Sequence, residues 1–434
     1  MMNLPSSLHK SIKIPLFLGL GFLALSAISC SMESSNGNDM QDNGLALMKQ
    51  IVQPIKDNIK KDKEMWGGND EEEDLKTYDQ YIKAIKEEEN RIKEHPEDAQ
   101  AYLDLVDALE GGEAYNPHTD KKTQEKAYRE MVRWLTTAIK KHPDNKDLYW
   151  KRAHLNFHNE QWQKAETDYS HLISMDPDNG DALSYRGRAY EKLGLKKEAQ
   201  QDFDAYAQIQ LGTAWEFHKR GLFYYFRGDF DLAEQNFSKD IELDPKKGDG
   251  YIFRAEIYFI QNRYDDSNAD YKKMIEIDPV WAGWAPARIG KNHYYQGKYQ
   301  MAEEAFTESL KTDPHLWTVV DWYLARHQQG KSSKAALEYM ADQFSNEHLE
   351  GATLNLFLDK IAPEELLEKK TIYTEFSADT GLSNAYFHLG QYYLMRDNSS
   401  KAKTMFEKSI ESAKQWFIPG SLFSTKELAR LESR

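Results

Sequence analysis

Three short stretches decide the fold of this chain: residues 241–245 read Ile-Glu-Leu-Asp-Pro, residues 275–279 read Ile-Glu-Ile-Asp-Pro, and residues 312–314 read Thr-Asp-Pro. Each ends an apolar, helix-periodic segment with proline, which stops a helix because it lacks an amide hydrogen and its ring clashes with the preceding turn. Prolines at this position recur in steps of 34, 68, 34 and 35 residues, with Leu211 at the skipped position. The prolines are Pro143, Pro177, Pro245, Pro279 and Pro314. Self-similarity at this period indicates an array of helical repeats.

Inside each period, a small residue in the first helix and an aromatic residue in the second helix return at fixed offsets. We expect the small residues to let neighbouring helices approach closely, while the aromatic rings fill the gaps between them. The small residues are Ala153, Gly187, Gly221, Ala255 and Gly290, and the aromatic residues are Tyr169, Phe203, Phe237, Tyr271 and Phe306.

This pattern resembles the tetratricopeptide repeat (TPR) family, whose unit is a helix–turn–helix of 34 residues. The resemblance implies an all-α solenoid with capping helices, since strand signals are nearly absent. We expect the array to occupy residues 77–345. Residues 346–434 are expected to form a C-terminal helical region with a final repeat, followed from about residue 421 by a capping helix over the open end.

The N-terminus reads as a lipoprotein signal. Residues 1–29 combine Lys10 and Lys13 with a short apolar run and small residues, and Cys30, the only cysteine, follows directly. This segment is similar to bacterial lipoprotein signal peptides, which implies lipid attachment at Cys30. An ordinary signal peptide, or an uncleaved anchor with an incidental cysteine, is the alternative. Residues 30–76 are expected to form a flexible tether containing a short helix.

The last third of the chain resembles a more particular group. The segments 322–325, 355–358, 363–367 and 386–393 follow one another as in the C-terminal half of NlpI-type lipoproteins of Gram-negative envelopes. This resemblance implies an adaptor that recruits peptidoglycan hydrolases or a periplasmic protease. Serine after the lipidated cysteine implies an outer-membrane lipoprotein facing the periplasm, with surface exposure left open.

Charge and composition exclude several classes of function. The formal net charge of −15 repels polyanions, so we expect no nucleic-acid partner. Gly330-Lys331-Ser332 lacks the first glycine and the preceding strand of a phosphate-binding loop. His154 and His158 share a helix face, but no third metal ligand is evident. We therefore expect no metal, no cofactor and no catalytic residue, and keep a metal-dependent enzyme using these histidines as a rival hypothesis.

The surface that remains is the concave face, which the first helix of each TPR lines. An aromatic groove there could bury apolar side chains of a protein or peptide partner, and Arg188, Arg288 and Lys291 could orient its carboxylates. A homodimer is left open, and a glycan- or nutrient-binding lipoprotein is the alternative, because exposed aromatic rings also stack on sugars. The predicted groove residues are Trp150, His154, Phe157, His158, Arg188, Trp215, His218, Tyr225, Phe226, Phe259, Trp284, Lys291 and Tyr294.

Overall fold

The structure is a computed structural model that describes residues 49–50, 53, 56, 71–111, 121–331, 333–344, 347–369, 378–413 and 419–432. This part of the chain forms twenty α-helices and no β-strand, which confirms the all-α prediction. The predicted signal peptide, Cys30 and most of the tether lie outside the described residues. Among the helices described, none is long and apolar enough to cross a membrane.

The described residues divide into two compact units: those from 71 to 212 form the first, and those from 213 onward, with the few described before residue 67, form the second. The division falls inside the stretch predicted as one array, next to Leu211, where the recurring proline is missing. The helices of the first unit are α1 Glu71–Glu94, α2 Ala99–Leu109, α3 Lys121–Lys141, α4 Lys146–His158, α5 Trp162–Met175, α6 Gly180–Lys192 and α7 Lys196–Gln208.

The second unit continues the same alternation of first and second helices, and then ends in shorter and less regular elements. A 3₁₀ turn, Pro279–Ala282, precedes its fifth helix. The helices are α8 Ala214–Arg227, α9 Phe230–Leu243, α10 Asp249–Ile260, α11 Tyr264–Ile277, α12 Trp284–Tyr295, α13 Tyr299–Thr312, α14 Leu316–His327, α15 Lys334–Ala341, α16 Leu349–Phe357, α17 Pro363–Leu366, α18 Ala378–Leu394, α19 Ser399–Ser412 and α20 Pro419–Glu432.

The turn between the two helices of a pair requires one residue in the left-handed region. Gly228 adopts a φ of 81° there and Gly297 a φ of 74°, at the cost only of glycine's chain entropy. Glu160 and Asn262 occupy the equivalent turns with φ of 57° and 63°, which is less favourable for a residue with a side chain. The turn therefore requires a residue with a positive φ, and glycine is the common but not the obligatory residue at this position.

The predicted glycines, Gly187, Gly221 and Gly290, each meet the predicted aromatic residue sixteen positions later. A methyl group on Gly221 would lie 2.8 Å from Cε1 of Phe237, and one on Gly290 would lie 2.6 Å from Cε1 of Phe306. Gly390 and Phe406 form the same contact between α18 and α19. Because these distances leave no room for a Cβ, the rings pack directly on helix backbone. The prediction that small residues permit close approach is confirmed.

A second contact with the same spacing joins the helices of a pair, and the sequence analysis did not anticipate it. In α6, Arg186 donates two hydrogen bonds to the carboxylate of Asp202 in α7, at 2.8 and 2.6 Å, and a third to the hydroxyl of Ser170. In α8, Arg220 donates instead to the amide oxygen of Asn236, at 2.8 Å. The other charged pairs of this kind are Arg152–Asp168 and Arg254–Asp270.

Candidate partner-binding surface

In the first unit, the predicted groove residues form one aromatic cluster around Tyr185, which the sequence analysis did not include in the groove. Its core is Trp150, His154 and Tyr185, with ring centroids 5.4 Å apart for Trp150 and His154 and 4.8 Å apart for His154 and Tyr185. The guanidinium of Arg188 lies 5.1 Å from the centre of the Tyr185 ring, a cation–π distance. We call these four residues the first-unit cluster. Phe157 contacts Tyr185 but is buried, so it packs beneath the cluster as part of the core and does not line a surface.

Electrostatics keeps the histidines of this region uncharged. Burial, together with the neighbouring His158, Lys151 and Arg188, lowers the pKa of His154 to about 3. Desolvation by the surrounding side chains and the charge of Arg188 also lower the pKa of His158. No group of three or more metal-ligating side chains exists among the described residues. The first-unit cluster therefore offers neutral rings and one exposed guanidinium, a combination suited to stacking and to carboxylate binding.

In the second unit, two of the predicted groove residues, Trp284 and Lys291, are half-buried, and the structure separates the others into two sets. Trp215 and Phe226 are exposed, by 40% and 46% of their surfaces. The other set is buried and belongs to the core, which corrects their assignment to an open groove; His218, for example, is 2% exposed and its Nδ1 lies 2.8 Å from Asp240 Oδ2. These buried residues are His218, Tyr225, Phe259 and Tyr294.

The exposed residues are connected through the buried ones. The Trp215 ring stacks on His218, and the Phe226 ring meets the edge of Tyr225. The hydroxyl of Tyr225 donates to Glu256 Oε2 at 2.9 Å. Burial raises the pKa of Glu256, and the positive charge of Arg288 opposes that rise. The Phe253 ring lies 5.7 Å from His218 and 5.5 Å from Tyr225, so one wall of contacts leads from Trp215 to Glu256, on which the charge of Arg288 acts.

Arg288 lies half-buried at the end of this wall. Its guanidinium is 4.8 Å from the centre of the Trp284 ring, and the structure gives it neither a hydrogen bond nor an ion pair to any residue in the described ranges. Arginine presents several donors in a planar fork that matches a carboxylate. We call Trp215, Phe226, Trp284 and Arg288 the open patch, because these are the groove side chains of the second unit that a partner could reach.

The remaining predicted groove residues are in contact with the C-terminal helix of the same chain. Phe423 of α20 packs on Phe259, with ring centroids 5.7 Å apart, and on Lys291, whose Nζ lies 4.3 Å from the ring centre. Arg430 of α20 lies over Tyr294, 5.6 Å from its ring centre. The predicted capping helix is therefore present, and it contacts the inner residues of α10 and α12 as well as α18 and α19.

Sequence reasoning missed the contribution of α20 to this surface. The spacing of Phe423, Lys426 and Arg430 shows that the three residues share one helix face. It does not show what that face contacts, because Lys426 and its acceptor in Ile260 are separated by 166 residues. The Arg–Asp pairs could have been found, since arginine and aspartate recur with the 34-residue period at a constant separation of 16.

The helical pairs and their recurring contacts define a helical-repeat protein. Residues 152–212 and residues 383–415 match family models described as tetratricopeptide repeat. The chain therefore contains tetratricopeptide repeats, which mediate protein–protein interaction and scaffolding.

Solved structures of repeat proteins resemble this chain at low identity. YrrB, described as a TPR protein with an unusual peptide-binding site, is 18% identical over 43% of this chain and 95% of its own, with a TM-score of 0.34. A tetratricopeptide repeat protein from Parabacteroides merdae is 21% identical over 58% and 96%, with a TM-score of 0.36. PilW, a type IV pilus biogenesis factor, is 18% identical over 46% and 92%, with a TM-score of 0.36.

Proposed function

We propose that this chain is a lipid-anchored, non-enzymatic adaptor of the bacterial envelope that holds a protein partner on the open patch. The observation that carries the proposal is Arg288, a half-buried guanidinium that forms no ion pair within the described ranges and stacks on Trp284, together with the exposed rings of Trp215 and Phe226. Aromatic and arginine side chains dominate the energetics of protein interfaces. The rings would bury apolar side chains of the partner, and Arg288 would pair with one of its carboxylates.

The anchor supplies the second half of the mechanism. Lipid on Cys30 would confine the adaptor to a membrane, so that captured partners, such as peptidoglycan hydrolases or a periplasmic protease, meet at that surface. We expect Cys30→Ser to move the protein from the membrane fraction to the soluble fraction and to abolish incorporation of a clickable palmitate analogue. Lys403→Ala, an exposed position on α19, should leave both readouts unchanged. Retention of label by Cys30→Ser would remove the anchor from the proposal.

The open patch is tested by crosslinking in cells. A photocrosslinking amino acid at Trp284 should trap a protein, and Trp215→Ala/Phe226→Ala should reduce that capture at least tenfold, since each anchoring ring contributes about 2 kcal/mol or more to binding. Leu232→Ala/Met301→Ala is the matched control, because it removes two equally exposed apolar side chains from second helices. Equal capture by both variants would contradict the proposal.

Exposed Trp215 also favours a second candidate, a glycan-binding surface, because an indole ring can stack on a sugar. The same pair of variants separates the two functions. Retention of the wild-type protein on a polysaccharide column, lost in Trp215→Ala/Phe226→Ala, together with no trapped protein, would favour the glycan.

A further inference from the structure

The helix α20 lies on the inner side of the second unit in the way that a bound peptide helix would. Three residues predicted from sequence to contact a ligand (Phe259, Lys291 and Tyr294) contact α20 instead. An amphipathic helix in an apolar groove is a common mode of peptide recognition, with anchors at positions i, i+3 and i+7. Phe423, Lys426 and Arg430 have this spacing.

The first anchor is aromatic. Phe423 is buried among three rings, with centroid distances of 5.7 Å to Phe259, 6.2 Å to Tyr295 and 5.8 Å to Phe387. Tyr295 also donates its hydroxyl hydrogen to the backbone carbonyl of Phe423, at 3.4 Å. The pocket is therefore formed by α10, α12 and α18, and it selects a flat apolar side chain.

The second and third anchors are cations. Lys426 Nζ donates to the carbonyl oxygen of Ile260 at 2.7 Å and to Asn262 Oδ1 at 2.6 Å, and so caps the C-terminal end of α10. Arg430 donates to the hydroxyl of Tyr299 at 3.3 Å and lies over the Tyr294 ring. The surface therefore offers oxygen acceptors and a ring face to two cations on one face of α20, while the carboxylate paired with Arg430 is that of Glu427 in α20 itself.

The docking of α20 leaves polar groups poorly compensated. Lys426 is 8% exposed, and its hydrogen bonds go to neutral oxygens rather than to a carboxylate. The hydroxyl of Ser424 is buried with no hydrogen-bond partner within the described ranges. Burying such groups reduces the net gain from docking. A competing helix that keeps the three anchors but carries no unpartnered hydroxyl at the position of Ser424 would bind the surface more tightly.

We propose that α20 is an intramolecular ligand, and that the partner displaces it with an amphipathic helix carrying an aromatic residue followed three and seven positions later by basic residues. This inference rests on the proposed function and names the class of partner. Because α20 is tethered, its effective concentration at the surface is on the order of millimolar, so release requires a partner helix of higher intrinsic affinity.

The test uses the mature chain and a fluorescein-labelled peptide of residues 419–432 as the probe. Lys426→Ala/Arg430→Ala weakens the tethered helix without changing the surface beneath it. We expect fluorescence anisotropy to give at least a tenfold lower Kd for this variant than for the wild-type chain. Lys403→Ala/Lys408→Ala, which removes the same charge from exposed positions of α19, should bind the peptide as the wild type does. Equal Kd values for the wild type and Lys426→Ala/Arg430→Ala, or no binding by either, would overturn the proposal.

A measurement on the wild-type chain covers the case in which the variant does not fold. Saturating peptide should accelerate hydrogen exchange of the chain's own α20 amides, because the peptide replaces α20 on the surface. Unchanged exchange at saturation would refute displacement. Crosslinking from Trp284 is independent of both results, so the adaptor function and the intramolecular ligand can fail separately.

Discussion

Asp202→Ala is expected to lower the free energy of unfolding of the first unit by about 3–5 kcal/mol, because it leaves the guanidinium of Arg186 without a countercharge in a largely buried site. The Asp202 carboxylate is 5% exposed and accepts two hydrogen bonds from Arg186. The arginine side chain is not deprotonated in proteins, so Arg186 cannot avoid the cost by becoming neutral. Urea-induced unfolding followed by tryptophan fluorescence measures the change.

Two variants of the same helix serve as comparisons. Asp204→Ala removes an exposed carboxylate whose partner is Gln200, and it should change stability by less than about 0.5 kcal/mol. The destabilisation by Asp202→Asn should lie between those of the two alanine variants. In the next repeat an asparagine, Asn236 of α9, already occupies the equivalent site and accepts a hydrogen bond from Arg220 of α8. Equal destabilisation by Asp202→Ala and Asp204→Ala would mean that the pair contributes nothing beyond its surface charge.

Raising the pH from 7 to 10.5 is expected to stabilise the wild-type second unit relative to Lys426→Met by up to about 3 kcal/mol. Burial lowers the pKa of Lys426 from 10.5 to about 8, and one pKa unit corresponds to about 1.4 kcal/mol. Below pH 8 the folded unit buries a charge. Above pH 8 the folded form loses the proton first, so the unfolded chain binds more protons and stability rises until about pH 10.5.

The titratable groups next to Lys426 do not produce the same rise in stability between pH 7 and 10.5. Burial raises the pKa of Tyr264, whose ring lies over Lys426 Nζ, to about 12, so this ring keeps its proton across the window. Glu427 and Arg430 are held together by a hydrogen bond of 3.1 Å. The free energy of unfolding is measured by urea at both pH values for the wild type, Lys426→Met and Lys403→Met. A pH-independent difference between the wild type and Lys426→Met would show that the ammonium group keeps its hydration in the folded unit.

The fold could be predicted because the residues that pack the two helices of a repeat lie close together in the sequence. Proline ends the second helix, and a glycine or alanine of the first helix faces the aromatic ring sixteen residues later. The 34-residue period and this 16-residue separation are therefore enough to predict both helices of a pair and the contact between them. The pairing of Arg186 with Asp202 obeys the same spacing. It escaped prediction because charged residues on helices are normally read as solvated surface, whereas this pair lies between two helices.

The candidate site was only partly predictable, for two physical reasons. Position in the repeat indicates that a residue faces inward, but whether it reaches solvent depends on neighbours in other helices. Trp215 and Tyr225 both occupy positions of α8 that are predicted to face inward. Tyr225 is covered by Phe253 and Glu256, whereas Trp215 remains exposed. The contacts of α20 with α10 and α12 join residues more than 120 positions apart, and no local pattern of a single sequence encodes such a contact.

The bond from Lys426 to the end of α10 changes how the second unit should fold. In an open repeat array every element depends on its immediate neighbours alone, so terminal repeats can melt while the rest persists. Here the last helix is fastened to a helix more than 160 residues upstream. Loss of the C-terminus would therefore loosen the middle of the unit as well, and folding should be slower and more cooperative than for a linear array of the same length, because a long loop must close first.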